Sequence, residues 1–347
     1  MYSEERQKNL MIRIGIVGMG GMGWFHGSRY FQIPGAEIAA IADIRPERLE
    51  ARNAVPINIE NKMSPSNFSE VQRFADADSL ITQANVDVID ICLPSYLHAD
   101  YAIRALKAGR HVLCEKPMAL NVADANRMIA ASRAARRKLM IAHCIRFWPE
   151  YQFLRQIIRN GVWGRLLSLN LQRVGGRPVG WGFENWFMDP ARSGGTLYDL
   201  HIHDIDYVNA LFGGPQRLIA SARQASPGSA CEIIHTVFDY SSGPQVSIQA
   251  GWSEVQIPFK AGYEAWFEKG FLRYDPTAAV PLMIFDDANR LHEQPAACPP
   301  GDAYLNEIQY FLDCVQFDRE PLECPPESAR DSLVLLARIR DAVHQKE

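Results

Sequence analysis

Apolar residues come in two patterns along this chain, short unbroken runs first and alternating runs later. Ile12 to Val17, Glu37 to Ala42, Val86 to Leu93, His111 to Cys114 and Lys138 to His143 are nearly continuous. Strands buried on both faces read this way, which is the mark of a parallel sheet covered by helices. Segments of helical character fall between them: one through about Gln32, then Ser79 to Gln83, Tyr101 to Lys107 and Val122 to Ala135. Regular alternation of strand and helix predicts a doubly wound parallel sheet, an α/β fold. Residues 54–70, with Pro56 and Pro65, read as a loop. Two acids, Asp87 and Asp90, interrupt the third of the apolar runs.

After Arg146 the pattern changes. A helix over Tyr151 to Arg159 is followed by longer strands at Leu166 to Arg173, Ile233 to Tyr240 and Gln245 to Trp252, in which apolar and polar residues alternate. Such strands put one face on a core and leave the other open. The expected second domain is therefore α+β, a helical layer on a large, mostly antiparallel open sheet. The expected boundaries are 1–144 for the doubly wound domain and 145–347 for the α+β domain, with the C-terminal helix expected to pack back toward the first.

Composition narrows the partners. The 347 residues are enough for two cores, and the formal net charge of -4 has its cations scattered rather than massed. No footprint for nucleic acid or an anionic membrane results. The seven cysteines show neither zinc-site spacing nor a disulfide framework, which fits a reducing cytoplasm. Charged residues precede any apolar run at the N-terminus, unlike a signal peptide.

The candidate chemistry begins after the first strand. Gly18-Met19-Gly20-Gly21-Met22-Gly23 opens a helix, and a glycine turn there permits a tight bend, close backbone approach to a pyrophosphate and close packing of helix on strand. Asp43 ends the second strand where such folds place an acid for the adenosine ribose, which favours NAD(H) over NADP(H). Arg45 leaves NADP(H) open as a 2'-phosphate ligand or could stack on adenine, though a solvated arginine at a helix start is the simpler reading. The run Glu115-Lys116-Pro117 stops a strand, and a lysine at that carboxyl end faces either the ligand crevice or solvent.

In the second half, Ser193-Gly194-Gly195 leads into a helix predicted over Thr196 to Phe212. At about 100° per residue, Asp199 and His203 share its polar face, a candidate acid-base pair one turn apart. His201 falls in the apolar arc, so a metal shared with His203 is not expected, and a buried hydrogen bond from His201 to Asp204 is. Trp186 serves either packing or the apolar face of a sugar ring.

These motifs, together with Leu93-Pro94, His98, the stretch Ala105 to Val112 and Arg146-Phe147-Trp148-Pro149, resemble the glucose-fructose oxidoreductase / inositol dehydrogenase family, Gfo/Idh/MocA. The resemblance spans nearly the whole chain. It implies NAD(P)-dependent hydride transfer on sugars and cyclitols, with Lys116, Asp199 and His203 as the catalytic set. It implies a cofactor held by Gly18, Gly20, Gly21, Met22 and Gly23, by Asp43 and Arg45, and by Leu93, Pro94, His98, Glu115 and Lys116. Arg146 and Trp186 are then expected at the substrate, with no metal, and a homodimer or homotetramer is expected through the C-terminal sheet. Two rivals stand beside this: an NAD-dependent glycosidase using transient oxidation, and a non-catalytic dinucleotide sensor.

Overall fold

The computed structural model describes residues 11–50, 68, 70–178, 182–224, 226, 229–288, 291–293, 298 and 300–344. The loop expected at 54–70 lies largely outside them. Two compact units divide the chain, one comprising Met1–Cys144 with Ala303–Arg330 and the other Ile145–Asp302 with Asp331–Glu347.

In the first unit β1 (Ile12–Val17), β2 (Ala36–Ala42), β3 (Gln72–Phe74), β4 (Val88–Ile91), β5 (His111–Glu115) and β6 (Leu139–Ala142) form one sheet. Its order is β3-β2-β1-β4-β5-β6, with every pair parallel. This is the doubly wound order, whose reversal between β1 and β4 opens a crevice at the strands' carboxyl ends. Residues of β1 and β4 to β6 are buried almost throughout, which explains their unbroken apolar runs.

Four helices connect these strands, α1 (Gly21–Tyr30), α2 (Ala77–Gln83), α3 (His98–Lys107) and α4 (Val122–Ala135). Side chains cap two of them: Asp76 accepts the Ser79 N–H, and Asn121 accepts the Asp124 N–H. Strand β3 escaped the hydrophobic pattern because it is three residues at an edge, defined by pairing with β2 alone. The run Val86 to Leu93 is accordingly the fourth strand and not the third.

The second unit holds an eight-stranded sheet of β7 (Leu166–Gly176), β8 (Arg217–Gln224), β9 (Glu232–Asp239), β10 (Gln245–Ser253), β11 (Lys260–Phe267), β12 (Gly270–Tyr274), β13 (Leu282–Asp286) and β14 (Leu291–Glu293). Only β7 with β10 is parallel; the other pairs are antiparallel. One face is buried through Leu169, Leu171, Ile248, Ala250, Tyr263 and Ala265. On that side Tyr151 of α5 (Pro149–Asn160) meets the Tyr263 ring edge-on at 5.0 Å. The other face is more open and mixed, polar at its centre with cross-strand pairs Gln172–Gln249 at 2.7 Å and Ser247–Asn170 at 2.6 Å, and apolar elsewhere with Ile219, Trp266 and Phe285 exposed. That alternation is the period of two read from the sequence. Among the described residues no helix is long and apolar enough to cross a membrane.

Candidate functional site

The glycine turn is shaped by three different constraints. Gly18 has φ +92°, and a Cβ there would meet the Cys92 carbonyl oxygen at 2.6 Å. A Cβ on Gly23 would overlap the Gly18 carbonyl oxygen, so α1 packs on β1 only with glycine at that position. Beside Gly20 nothing lies within 4 Å of where a Cβ would be. Gly20 is the N-cap of α1, whose first turn, beginning at Gly21 and Met22, has no side-chain cap and no acid. An uncapped first turn and the positive end of the helix dipole suit an anionic group such as a pyrophosphate. Asp43 braces the turn, its Oδ2 accepting the Met19 N–H at 2.9 Å and its Oδ1 the Arg45 N–H at 2.9 Å. Arg45 Nε stands 3.7 Å from the same carboxylate. Open space beside Gly20, uncapped amides and a strand-end carboxylate fit a dinucleotide.

At the ends of β4 and β5, His98 joins two loops. Its Nε2 lies 2.8 Å from the Leu93 carbonyl oxygen and its Nδ1 2.7 Å from that of Pro117. Burial holds this imidazole below its ordinary value, so the neutral ring donates to one carbonyl at a time. Buried as it is, His98 shapes the loop carrying Leu93 and Pro94 by clamping its backbone. Glu115 is likewise buried, one carboxylate oxygen accepting the Lys116 N–H at 3.1 Å and the other facing His26 at 3.1 Å. Glu115 is the last residue of β5. Along Val112 to Ala119, Lys116 alone is not fully buried.

The predicted helix Thr196 to Phe212 is two pieces, a π-helical turn at Leu197–His201 and the α-helix α7 (Ile202–Phe212), which follows the short α6 (Pro190–Ser193). A π turn widens the helix by a residue and is frequent at functional sites. The uniform 100° spacing used to lay out Asp199 and His203 fails through it. What survives is exposure: along Gly195 to Val208, only Asp199 and His203 are not fully buried.

The neighbouring charges are assigned differently from expectation. His201 Nε2 is 2.9 Å from the Thr236 hydroxyl, and Asp204 instead takes Arg173 of β7 in a bidentate pair, both contacts at 3.0 Å. Burial pushes the His201 pKa down to about 3, so this ring is neutral. Arg146, expected at the substrate, is buried and gives Nε and Nη2 to Asp206 at 2.7 Å each, with the Ser332 hydroxyl on the same carboxylate at 2.8 Å. A guanidinium so placed has its charge balanced by a buried carboxylate. Trp186 is 8 % exposed and stacks on Phe187 at 3.9 Å. Sequence reasoning missed His26, although an acid inside an apolar strand, Asp90, signals a buried partner.

Comparison with known proteins agrees with this architecture. A family described as "Oxidoreductase family, NAD-binding Rossmann fold" matches residues 12–143, and its "GFO/IDH/MocA C-terminal domain" matches residues 151–273. The chain belongs to the Gfo/Idh/MocA family. It is 30% identical over 253 residues to 2,7-anhydro-N-acetylneuraminate hydratase of Escherichia coli (strain K12), a match covering 70% of this chain and 62% of that protein. Over 203 residues it is 30% identical to myo-inositol 2-dehydrogenase of Thermotoga maritima, covering 58% of this chain and 55% of the relative. These matches thus span little more than half of each relative's length. The structure of levoglucosan dehydrogenase in complex with NADH and levoglucosan superposes with a TM-score of 0.82 at 20% identity, covering 97% of this chain and 98% of that one, a likeness of fold.

Proposed function

We propose that this protein is an NAD(H)-dependent oxidoreductase moving a hydride between nicotinamide and a carbinol or carbonyl carbon of a sugar, cyclitol or related polyol. One observation carries the reading: in two stretches otherwise buried, side-chain access is kept only by Lys116 and by Asp199 with His203. Those are the residue types the chemistry requires. An imidazole nitrogen of His203 takes the hydroxyl proton as the carbinol is oxidised. Lys116 supplies positive charge to the developing alkoxide. Asp199 orients the hydroxyl or its catalytic partners. When bound, nicotinamide supplies the hydride acceptor. The Asp43 carboxylate favours NAD(H), because a 2'-phosphate would be brought against like charge. Trp186 offers its ring to the sugar, and the open face of the eight-stranded sheet pairs copies into a dimer or tetramer. A cytoplasmic setting goes with this reading.

A panel of polyols, aldoses and glycosides with NAD+ and NADP+, followed by nicotinamide absorbance, tests it. Lys116→Ala and His203→Ala should each lower turnover about 10² to 10⁴-fold, with NAD+ affinity largely kept. Near wild-type turnover in either removes that residue from the mechanism. NADP+ binding equal to or tighter than NAD+ in calorimetric titration would instead promote Arg45 to a phosphate ligand.

A second reading, transient oxidation without net redox change, gains support from the relative named a hydratase. Release of an aglycone from a glycoside with no accumulation of NADH separates it from the dehydrogenase reading.

A further inference from the structure

Within the first unit, His26 of α1 lies between two carboxylates, and all three side chains are shut away from solvent. Its Nδ1 is 2.9 Å from Asp90 Oδ2 and its Nε2 3.1 Å from Glu115 Oε1, with side-chain exposures of 0%, 0% and 9% for His26, Asp90 and Glu115. The first contact is a hydrogen bond; the second has the distance of an ion pair without full hydrogen-bond alignment. Asp90 also accepts the Tyr30 hydroxyl at 2.9 Å and the Cys92 thiol at 3.6 Å. The free oxygen of Glu115 accepts the backbone N–H of Lys116. An unbroken line therefore runs from the helix that begins at the glycine turn to the backbone of Lys116.

We propose that His26 is a positioning residue for Lys116: as an imidazolium between Asp90 and Glu115 it fixes the carboxylate that holds the Lys116 amide, tying the lysine to the cofactor-facing helix. This rests on the catalytic reading of Lys116. A neutral ring presents one N–H and one lone pair, and here the lone pair would face a carboxylate in a medium of low dielectric. Two protons on the ring remove that conflict. The surrounding charges agree. Burial is the largest single influence on the His26 pKa and lowers it, but Asp90 and then Cys92 raise it and together hold the group well above its ordinary value. For Glu115 burial raises, while His26 and then Lys116 draw the group below its ordinary value. The neighbours of His26 also include Tyr30 on α1, Cys92 after β4, and Tyr304, whose ring lies 6.4 Å from that of His26.

A bound metal is the competing assignment, since His26, Asp90 and Cys92 offer ligand atoms within 4.8 Å of one another. Protons already account for these contacts. Burial, then Asp90, pushes the Cys92 thiol well up, so it stays protonated and serves as a donor. The span from His26 to Asp90 is that of a hydrogen bond, and Asp90 accepts a second from Tyr30.

The test compares His26→Gln, Glu115→Gln, their double variant and Lys116→Ala in the full chain with NAD+ and the best polyol of the panel. His26→Gln should lower kcat about 10- to 100-fold, the scale of a small misplacement of a reacting group, with KM and the NAD+ Kd within about 3-fold. Glu115→Gln should match it, and the double variant should lose no more than either alone. Wild-type kcat in a folded His26→Gln variant, with Lys116→Ala inactive, overturns this inference and spares the role of Lys116. An active Lys116→Ala removes the catalytic reading itself. Should His26→Gln fail to fold, nitrogen-15 histidine spectra of the wild-type protein decide: one ring protonated on both nitrogens at pH 8 supports the proposal, and its absence or a metal-ligated ring overturns it.

Discussion

His26 in the first unit and His201 in the second are both 0% exposed, yet their pKa values move in opposite directions. His26 faces Asp90 and Glu115 and is held well above the ordinary imidazole value, burial being offset by Asp90 together with Cys92. His201 faces the Thr236 hydroxyl, no counter-charge offsets burial, and its pKa falls to about 3. Desolvation acts on both rings in the same direction, so burial does not decide the charge of a buried histidine. The carboxylate in contact decides it. An apolar surrounding stores a neutral ring as a packing element, while a carboxylate on each side makes the ring a fixed cation around which a strand end can be organised.

The comparison can be broken at the counterion. Asp90→Ala should cost about 3–5 kcal/mol, the scale of removing one partner from a buried charge pair, read by urea unfolding; a change under about 1 kcal/mol would mean that His26 is neutral. Smaller is the effect of Thr236→Val, which deprives the His201 ring of its hydroxyl. It should cost about 1–3 kcal/mol and leave turnover unchanged. A loss of turnover would place His201 in the reaction.

The pH dependence sharpens the contrast further, because the two rings tilt stability in opposite directions. For His201 the folded value is depressed. Between pH 3 and about 6.5 the unfolded chain binds the proton and the folded one does not, so stability rises with pH by up to about 1.4 kcal/mol per unit. The folded value of His26 is raised. Its contribution is complete below about pH 6.5 and is lost as pH climbs toward the folded value, again by up to about 1.4 kcal/mol per unit. Unfolding measured across pH in His201→Gln and His26→Gln should flatten the acid limb in the first variant and the alkaline limb in the second. Identical profiles in both would refute the opposite charge assignments.

Local pattern made much of the first unit legible. The strand Ile12–Val17 and the helix Val122–Ala135 have the limits read from the sequence, because an unbroken apolar run and a capped amphipathic segment are local signals. Strand β3 was not legible, since three residues at a sheet edge carry no period of their own. Nor was the π turn at Leu197–His201, for a wheel drawn at constant spacing assumes the geometry it is meant to find. Burial of His201 was read correctly, but its partner was not: the nearest acid in sequence, Asp204, is claimed by Arg173, 31 residues away.

The sequence by itself determined the family, the alternation of strand and helix in the dinucleotide unit apart from β3, and the residue types proposed for the reacting groups. Each depends on short-range spacing: glycines in one turn, a lysine at one strand end, an acid and a histidine on one helix. Only the tertiary structure decided which charges neutralise which. His26 meets Asp90 across 64 residues and Arg146 meets Asp206 across 60. A charge is stabilised by what lies within a few ångströms of it, and the fold brings distant residues within that range without leaving any trace in local periodicity.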